Sequence, residues 1–437
     1  MIQKINLKPL SGFMSLLPED QILFNKMKDI IRNTYESFGF EPIDTPTMEK
    51  ASILLAKAGG ETEKQIYKLK KGNNDLALRF DLTVPFAKYV ASNTNNLDFP
   101  FRKYEINKVF RGERTQRGRF REFYQCDADI ISKDELSFYN DAEIIFLIYK
   151  TFNNLGFSNK FTIKISNRKI LTGFLKDIIE NSSEIIKVID KMDKISEKEM
   201  KDIFKNFGLK KENIEKILKF IKISKSSDNI LEELRSFNVN NSLMQEGVEE
   251  LSTVLSYLDD LNIDENAYDI DLSVVRGLDY YTGTVFETVF KDYKEIGSIA
   301  SGGRYDDLCG LYLDNENYPG VGMSIGLTRL FDQLKNFDLL KIKEPDIFKI
   351  LLIPMDKSHI SYSLNLLSKL REENINSSIL VDNKKFKKKL DYANKLNFLY
   401  IVIVGDDEKN SSKYTLKNMK DGTQKSLSLQ KLIKELS

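Results

Sequence analysis

The strongest constraint on the fold is an interruption. Strand and glycine signals crowd the first part of the chain, stop, and return at Tyr268; between them, residues 170–258 are rich in Lys, Glu, Ile and Leu, with helical periodicity and no proline. Strands on both sides of such a stretch must come together from distant parts of the chain, with the helices looped out as an insertion. The chain's 437 residues leave room for a further unit. Beyond Pro345 the order is strand (IFKILLIPM), helix (360–372), strand (SSILVD), helix (384–396), strand (FLYIVIVG), the signature of a small α/β domain. The expected class is therefore α+β. An antiparallel-sheet domain spans 1–338, with its helical insertion at about 170–258, and an α/β domain spans 346–437.

Within the first domain, Pro18-Glu19-Asp20 opens a helix whose apolar face is Ile22, Phe24, Met27, Ile30, Ile31 and Tyr35, with Gly39 as its stop. GFEPIDTPTME carries two prolines and reads as an edge strand. Strands are expected at 76–82, 101–112 and 120–131, and again in TVFETVF, IASGGRY and GVGMSIG.

Composition narrows the chemistry. Hydrophobic residues at 41% and charged residues at 30% exclude wholesale disorder. The 66 Lys+Arg nearly cancel 65 Asp+Glu, which excludes a uniformly basic coat but not a local basic face. His359 is the single histidine and lies far in sequence from every suggestive motif, so histidine triads and histidine-ligated metals drop out. Cys126 and Cys309 make neither a disulfide framework nor a zinc motif and read as packed thiols; no metal site is expected from the side chains. No apolar run is long enough to span a bilayer, and MIQKINLKPLSGF lacks the apolar core of a secretory signal, so a soluble cytoplasmic protein is the expectation.

The densest chemical signal is KVFRGERTQRGRFREFYQCDADI. Side-chain alternation puts Val109, Arg111 and Glu113 on one face of an incoming strand and Phe123, Gln125, Asp127 and Asp129 on one face of the outgoing strand. The turn between them carries Arg114, Arg117, Arg119 and Arg121. Arg111 has the fork to grip a phosphate or carboxylate, and Phe123 offers a flat face for a base. A hairpin of surface salt bridges accounts for such a charge run about as well. Asp81 and Thr83, two apart in LALRFDLTVP, can receive an ammonium or cap the helix that follows. In VVRGLDYYTGTVFE, Gly277 allows a sharp turn that sets Arg276 beside Tyr280 and Tyr281.

FRGERTQRGRFREF resembles the second signature motif of class II aminoacyl-tRNA synthetases, and FYQCDADI with RGLDYY and TVFE narrows the resemblance to histidyl-tRNA synthetases. SGGRYDDL is similar to that family's second histidine-pocket peptide, GVGMSIGLTRL to the third class II motif, and GFEPIDTP with Pro46, more loosely, to the dimer-forming first motif. The resemblance covers essentially the whole chain. It implies a class II catalytic domain with a C-terminal anticodon-binding domain in a homodimer, and an enzyme that joins L-histidine to its tRNA with ATP and Mg²⁺ as AMP and pyrophosphate form. It also implies roles. Arg111 and Arg276 hold the α-phosphate, Arg111 also the histidine carboxylate. Glu113 reads the adenine amino group, Phe123 stacks on the base, and Arg119 and Arg329 meet the phosphate tail. Asp81 and Thr83 bind the α-amino group; Gln125, Asp129, Tyr280 and Tyr281 form the histidine pocket, with Asp129 and Tyr281 on the imidazole nitrogens; Gly302 and Gly303 let backbone approach the ring.

Residues 341–437 carry 19 Lys+Arg against 12 Asp+Glu, so +7 sits here against −6 elsewhere. The run KKFKKK places Lys384, Lys385, Lys387, Lys388 and Lys389 as tRNA contacts or as a solvated helix face. Two relatives of the same fold compete with the enzyme: the non-catalytic regulatory subunit of ATP phosphoribosyltransferase, and an uncharged-tRNA sensor module. Arg111, Arg276 and the arginine turn favour the enzyme.

Overall fold

A computed structural model describes residues 7–56, 61–115, 118–179, 182–190, 192, 195–223, 230–236, 241–275, 280–306, 308–313, 316–340, 350–382 and 384–436. They fall into two units, Met1–Ile342 and Lys343–Ser437.

The first unit opens with helix α1 (Pro18–Ser37), which starts at its proline and buries Phe24, Met27, Ile31 and Tyr35, the apolar stripe read from the sequence. The chain then forms β1 (Glu41–Pro42) and β2 (Met48–Lys50), the short helices α2 (Ala51–Leu54) and α3 (Glu61–Gln65), β3 (Lys68–Lys71), β4 (Asn74–Leu78) and α4 (Thr83–Asn93). Two long strands follow, β5 (Phe101–Phe110) and β6 (Glu122–Ile131), then α5 (Tyr139–Asn154) and β7 (Phe161–Asn167). After the insertion come β8 (Tyr268–Ile270), β9 (Thr284–Phe290), β10 (Ala300–Tyr305) and β11 (Gly320–Gly326).

Eight of these strands make one sheet in the order β1-β5-β6-β11-β10-β9-β7-β8. Its interior pairs are antiparallel; only the edge strands β1 and β8 pair in parallel. The proline-bearing segment thus sits at an edge, where a missing N–H costs no ladder bond. The remaining three strands form a separate sheet, β2-β4-β3.

One face of the large sheet carries the hydrophobic core. Cys126, Ala128 and Ile130 of β6 pack with Phe24 and Met27 of α1 and with α5, and the Tyr35 hydroxyl donates to the Cys126 carbonyl at 3.0 Å. Alternation therefore sends Gln125, Asp127 and Asp129 to the opposite face. Cys126 and Cys309 are both buried thiols.

The insertion is helical throughout its described length: α6 (Arg168–Lys176), α7 (Ser183–Ile189), α8 (Glu197–Asn206), α9 (Lys211–Ile223), α10 (Ile230–Ser236) and α11 (Ser242–Asp260). Its caps are sequence-encoded. Asn167 accepts from the Lys169 N–H, Ser196 and Glu199 close a capping box, and Asn241 accepts from Leu243 and Met244. Helix α12 (Leu327–Asn336) follows β11 and returns to the core with Leu327, Leu330, Phe331 and Leu334.

Two strands of the first unit end earlier than expected. The segment expected at 76–82 leaves the sheet after Leu78 because Arg79 turns inward. Its Nε donates to the Lys108 carbonyl at 2.7 Å, and its Nη1 donates to the Thr45 carbonyl and to Glu105. The incoming hairpin strand ends at Phe110, since the Gly112 N–H goes to the Gln65 carbonyl instead of a strand partner.

The second unit holds β12 (Ile350–Pro354), α13 (Ile360–Glu372), β13 (Ser377–Ile379), α14 (Phe386–Lys395), β14 (Tyr400–Val404), α15 (Asp406–Ser411), β15 (Lys413–Asn418), β16 (Gln424–Ser428) and α16 (Leu429–Leu436). The sheet order is β13-β12-β14-β15-β16, with parallel pairing on both sides of β12. β12 is buried along its whole length, as its unbroken apolar sequence requires for a strand covered on both faces. His359 is buried here, its Nδ1 3.0 Å from Asp356 and its Nε2 3.1 Å from Asp406. Among the described residues, no helix is long and apolar enough to cross a membrane.

Candidate active site

The polar face of β6 floors a cavity of about 440 Å³. Phe123, Gln125, Asp127 and Asp129 all line it, as alternation demands. Arg111 and Glu113 line it from the other arm of the hairpin; Val109, placed on their face by the sequence, is wholly buried and outside it. Asp81, Thr83, Arg119, Tyr280, Tyr281 and Arg329 complete the set of expected residues brought together.

The two ends differ in chemistry. At one end the Arg111 guanidinium lies 4.3 Å from the Phe80 ring and 5.1 Å from the Phe123 ring, and its Nε donates to the Phe80 carbonyl at 3.2 Å. Its fork is thus preoriented between two aromatic faces. Desolvation pulls the Arg111 pKa below its ordinary value, while Asp81 and Glu113 act in the opposite sense. Arg119 reaches Glu113 at 3.4 Å, and Arg121 donates to the Glu113 carbonyl. Arg329, on the first turn of α12, donates to the Ile296 carbonyl at 2.6 Å.

The other end is built on buried charge. Across β5, β6 and β11, Glu105, Asp127 and Ser324 form one row and Lys103, Asp129 and Gly322 the next. Lys103 pairs with Asp129 Oδ2 at 2.7 Å, and the Tyr305 hydroxyl donates to Asp129 Oδ1 at 3.0 Å. Arg79 pairs with Glu105 at 3.0 Å, and neither is solvent-accessible to any useful extent. A Cβ at position 322 would lie 1.9 Å from Asp129 Oδ1, so only glycine leaves room for that carboxylate. Burial alone would push Lys103 down, yet Asp129, Asp127 and Glu105 hold it above its ordinary value. The Asp127 carboxyl goes the other way: burial, with Asp129 and Asp81 nearby, pushes it up to about 8 against the pull of Lys103 and Ser324.

Asp81 caps the helix that follows it and also lines the cavity. Its Oδ1 accepts the Val84 N–H at 3.1 Å at the start of α4, and it faces the cavity, where burial raises its pKa. Tyr280 and Tyr281 are hydrogen-bonded to each other with ring centroids 4.6 Å apart, and Tyr280 also bonds Thr83.

Three expectations change. Gly302 does not line the cavity. It faces the core, where a Cβ would meet the Gly322 carbonyl at 2.0 Å and the Phe286 ring at 2.7 Å, so it serves strand packing. Gly303 does not line the cavity either; a Cβ there would lie 2.9 Å from the Tyr281 ring, so its smallness seats that tyrosine. Lys389 is not a surface lysine. It is buried with its Nζ on the Pro354 carbonyl at 3.0 Å, whereas Lys384, Lys385, Lys387 and Lys388 are exposed and Lys384 pairs with Asp382. Arg276, Gly277 and Arg117 lie outside the described residues.

The sequence reading missed Arg79, Lys103, Glu105, Tyr305 and Ser324. Their signal was present: Lys103, Glu105 and Asn107 alternate along β5 in register with the acids of β6, and Tyr305 stands two residues from Gly303. No group of three or more His, Cys, Asp or Glu able to hold a metal occurs among the described residues.

The family model for histidyl-tRNA synthetase matches residues 12–330, and that for an anticodon binding domain matches 349–437. The chain belongs to the histidyl-tRNA synthetase family. A histidine–tRNA ligase of Clostridium tetani is 50% identical over 427 residues, spanning 97% of each chain. The crystal structure of histidyl-tRNA synthetase from Nostoc sp. PCC 7120 superposes with a TM-score of 0.89 at 36% identity, over 99% of both chains. A Bacillus halodurans structure described as an ATP phosphoribosyltransferase regulatory subunit/histidyl-tRNA synthetase has a TM-score of 0.77 at 19% identity over 92% of this chain and 99% of its own, which is a likeness of fold alone. The α+β class is that of histidyl-tRNA synthetases, with the anticodon-binding domain at the C-terminus.

Proposed function

We propose that the cavity is where this chain activates histidine in two-step charging of tRNA. As a member of its family the chain is an aminoacyl-tRNA ligase that charges tRNA with histidine, with ATP as substrate. In the proposed sequence, the histidine carboxylate attacks the ATP α-phosphorus and pyrophosphate leaves. A terminal ribose hydroxyl of the tRNA then attacks the aminoacyl carbonyl and AMP leaves. Neither step needs an enzyme nucleophile. Both depend on positioning and on neutralising phosphate charge, work that suits arginines.

Arg111 and Arg276 hold the α-phosphate, and Arg119 and Arg329 the tail. Phe123 stacks on adenine and Glu113 accepts from its amino group. Asp81 and Thr83 take the substrate ammonium, while Gln125, Asp129, Tyr280 and Tyr281 enclose the side chain. Asp129 enters already held by Lys103 and Tyr305, which fixes its direction before substrate arrives. Mg²⁺ comes with ATP as its counter-ion. It would be held by the triphosphate oxygens and would neutralise phosphate charge beside Arg119 and Arg329; among the described residues no cluster of carboxylates is placed to hold it without the nucleotide. Lys384, Lys385, Lys387 and Lys388 face tRNA from the unit at 346–437, the catalytic core occupies 1–338, and two copies pair through the segment around Pro46.

One observation carries the reading: Phe123, Gln125 and Asp129 face the same cavity as Arg111, so base, amino-acid and phosphate groups converge. Arg111→Ala should lower histidine-dependent ATP–pyrophosphate exchange by roughly a hundredfold or more, with the fold intact. Exchange near the wild-type rate would overturn the assignment.

A further inference from the structure

Around the cavity floor the described residues include three cations, Arg79 and Lys103 beneath the lining and Arg111 within it, and four carboxylates, Asp81, Asp127 and Asp129 in the lining and Glu105 beneath it. Two ion pairs account for four of these groups: Arg79 with Glu105 and Lys103 with Asp129. Arg111 is the remaining cation, and its place at the nucleotide end suits it to phosphate. Asp81 and Asp127 are the carboxylates left over; Asp81 already accepts the Val84 N–H, which leaves Asp127. It is 2% exposed, lines the cavity, and its Oδ1 has no hydrogen-bond partner; Gln125 Oε1, one step along the same strand face, also lacks one. The Gln125 amide itself is fixed by its Nε2 donating to Ser324 Oγ at 2.7 Å, which aims Oε1 away from that serine. An ammonium group has three N–H donors and no acceptor. Asp81, Thr83 and Asp127 all line the cavity and offer three acceptors, and the Asp127 carboxyl keeps one oxygen without a protein partner.

We propose that Asp127 is a binding residue for the amino-acid substrate, its carboxylate accepting the α-ammonium that Asp81 and Thr83 also hold. The proposal rests on the reading of this cavity as the histidine site. Its consequence is a proton. The groups that face Asp127 are Lys103 and Glu105 from β5, Asp129 from β6, Ser324 from β11 and Asp81 from the approach to α4; Tyr35 of α1 and Arg79 and Arg111 also feel its charge. In the empty site the sum of these leaves the Asp127 carboxyl protonated at neutral pH, with a pKa of about 8. Arrival of an ammonium favours the carboxylate, so the proton leaves as the substrate binds.

Two measurements test this. The first uses the wild-type protein: calorimetric binding of histidine at pH 7.5 in buffers of different ionisation enthalpy should show release of about one proton, and the α-hydroxy analogue of histidine should release none. The second uses Asp127→Asn, with ATP affinity and Tm measured to establish folding. The variant should raise the KM for histidine in pyrophosphate exchange about ten- to a hundredfold, abolish the proton release, and leave inhibition by the α-hydroxy analogue within about twofold. Equal loss of affinity for histidine and its hydroxy analogue would overturn the proposal, as would an unchanged KM or wild-type binding without proton release. A variant that does not fold leaves the wild-type calorimetry to decide. Failure of the broader reading looks different: the wild-type protein itself would show no histidine-dependent exchange.

Discussion

The cavity floor and the lysine run of α14 are both concentrations of charge, and they behave in opposite ways. On the floor, Lys103 and Glu105 of β5 face Asp129 and Asp127 of β6, Arg79 pairs with Glu105 from beyond the end of β4, and all five are buried and can be assigned one by one. Burying an ion is costly enough that each must find a partner or give up its charge, so the arrangement itself encodes what is missing. At the start of α14, Lys384 and Lys385 just before the helix and Lys387 and Lys388 in its first turn are solvated, and their positions constrain nothing beyond a local positive field. Buried charge names a ligand; exposed charge names only a sign.

That contrast can be broken at either end. The largest expected effect is at the floor: Arg79→Ala strands Glu105 without its cation and should cost about 3–5 kcal/mol in denaturant unfolding. A loss below about 1 kcal/mol would mean the floor tolerates unpaired charge. At the exposed end, reversing Lys384, Lys385, Lys387 and Lys388 to Glu should leave unfolding and histidine-dependent pyrophosphate exchange unchanged. It should weaken tRNA binding and flatten its salt dependence by about 0.7–0.9 log units per lost phosphate contact. Unaltered tRNA affinity would return these lysines to the role of a solvated face. The smallest effect is a slope. In the ligand-free protein, Asp127 holds its proton up to about pH 8, whereas an unfolded Asp has lost it by about pH 4. The native state therefore binds more protons through that window, and this group subtracts stability as pH rises from about 4 to 8. Asp127→Asn should remove that component from Tm measured against pH; an identical slope in both proteins would show Asp127 ionised in the native state.

The sequence disclosed the floor unevenly. Gln125, Asp127 and Asp129 were legible because β6 alternates polar and apolar residues with period 2, and both of its faces are buried against different chemistry. Lys103 and Glu105 obey the same period in FRKYEINKVF, but charge on a strand reads as solvent-facing until its partner strand is known. Lys389 shows the converse. Phe386, Lys389, Leu390 and Ala393 fall at helical i, i+3, i+4 and i+7, so the period that buries Phe386 and Ala393 also buries that lysine's stem. The β15–β16 hairpin passed unread because β16 exposes nearly all of its residues and carries no apolar alternation to mark it. The order of strands in the large sheet, which sets β11 beside β6 across nearly 200 residues, is a property of tertiary packing that no local pattern encodes.

The central claim is that buried, paired charge has shaped this cavity for one amino acid. A site built from polar groups that stay unpaired with the wrong substrate discriminates by about ten-thousandfold or better. ATP–pyrophosphate exchange measured separately with each of the proteinogenic amino acids tests this most directly. The account predicts exchange with histidine alone; comparable exchange with phenylalanine, or none with histidine, would contradict it.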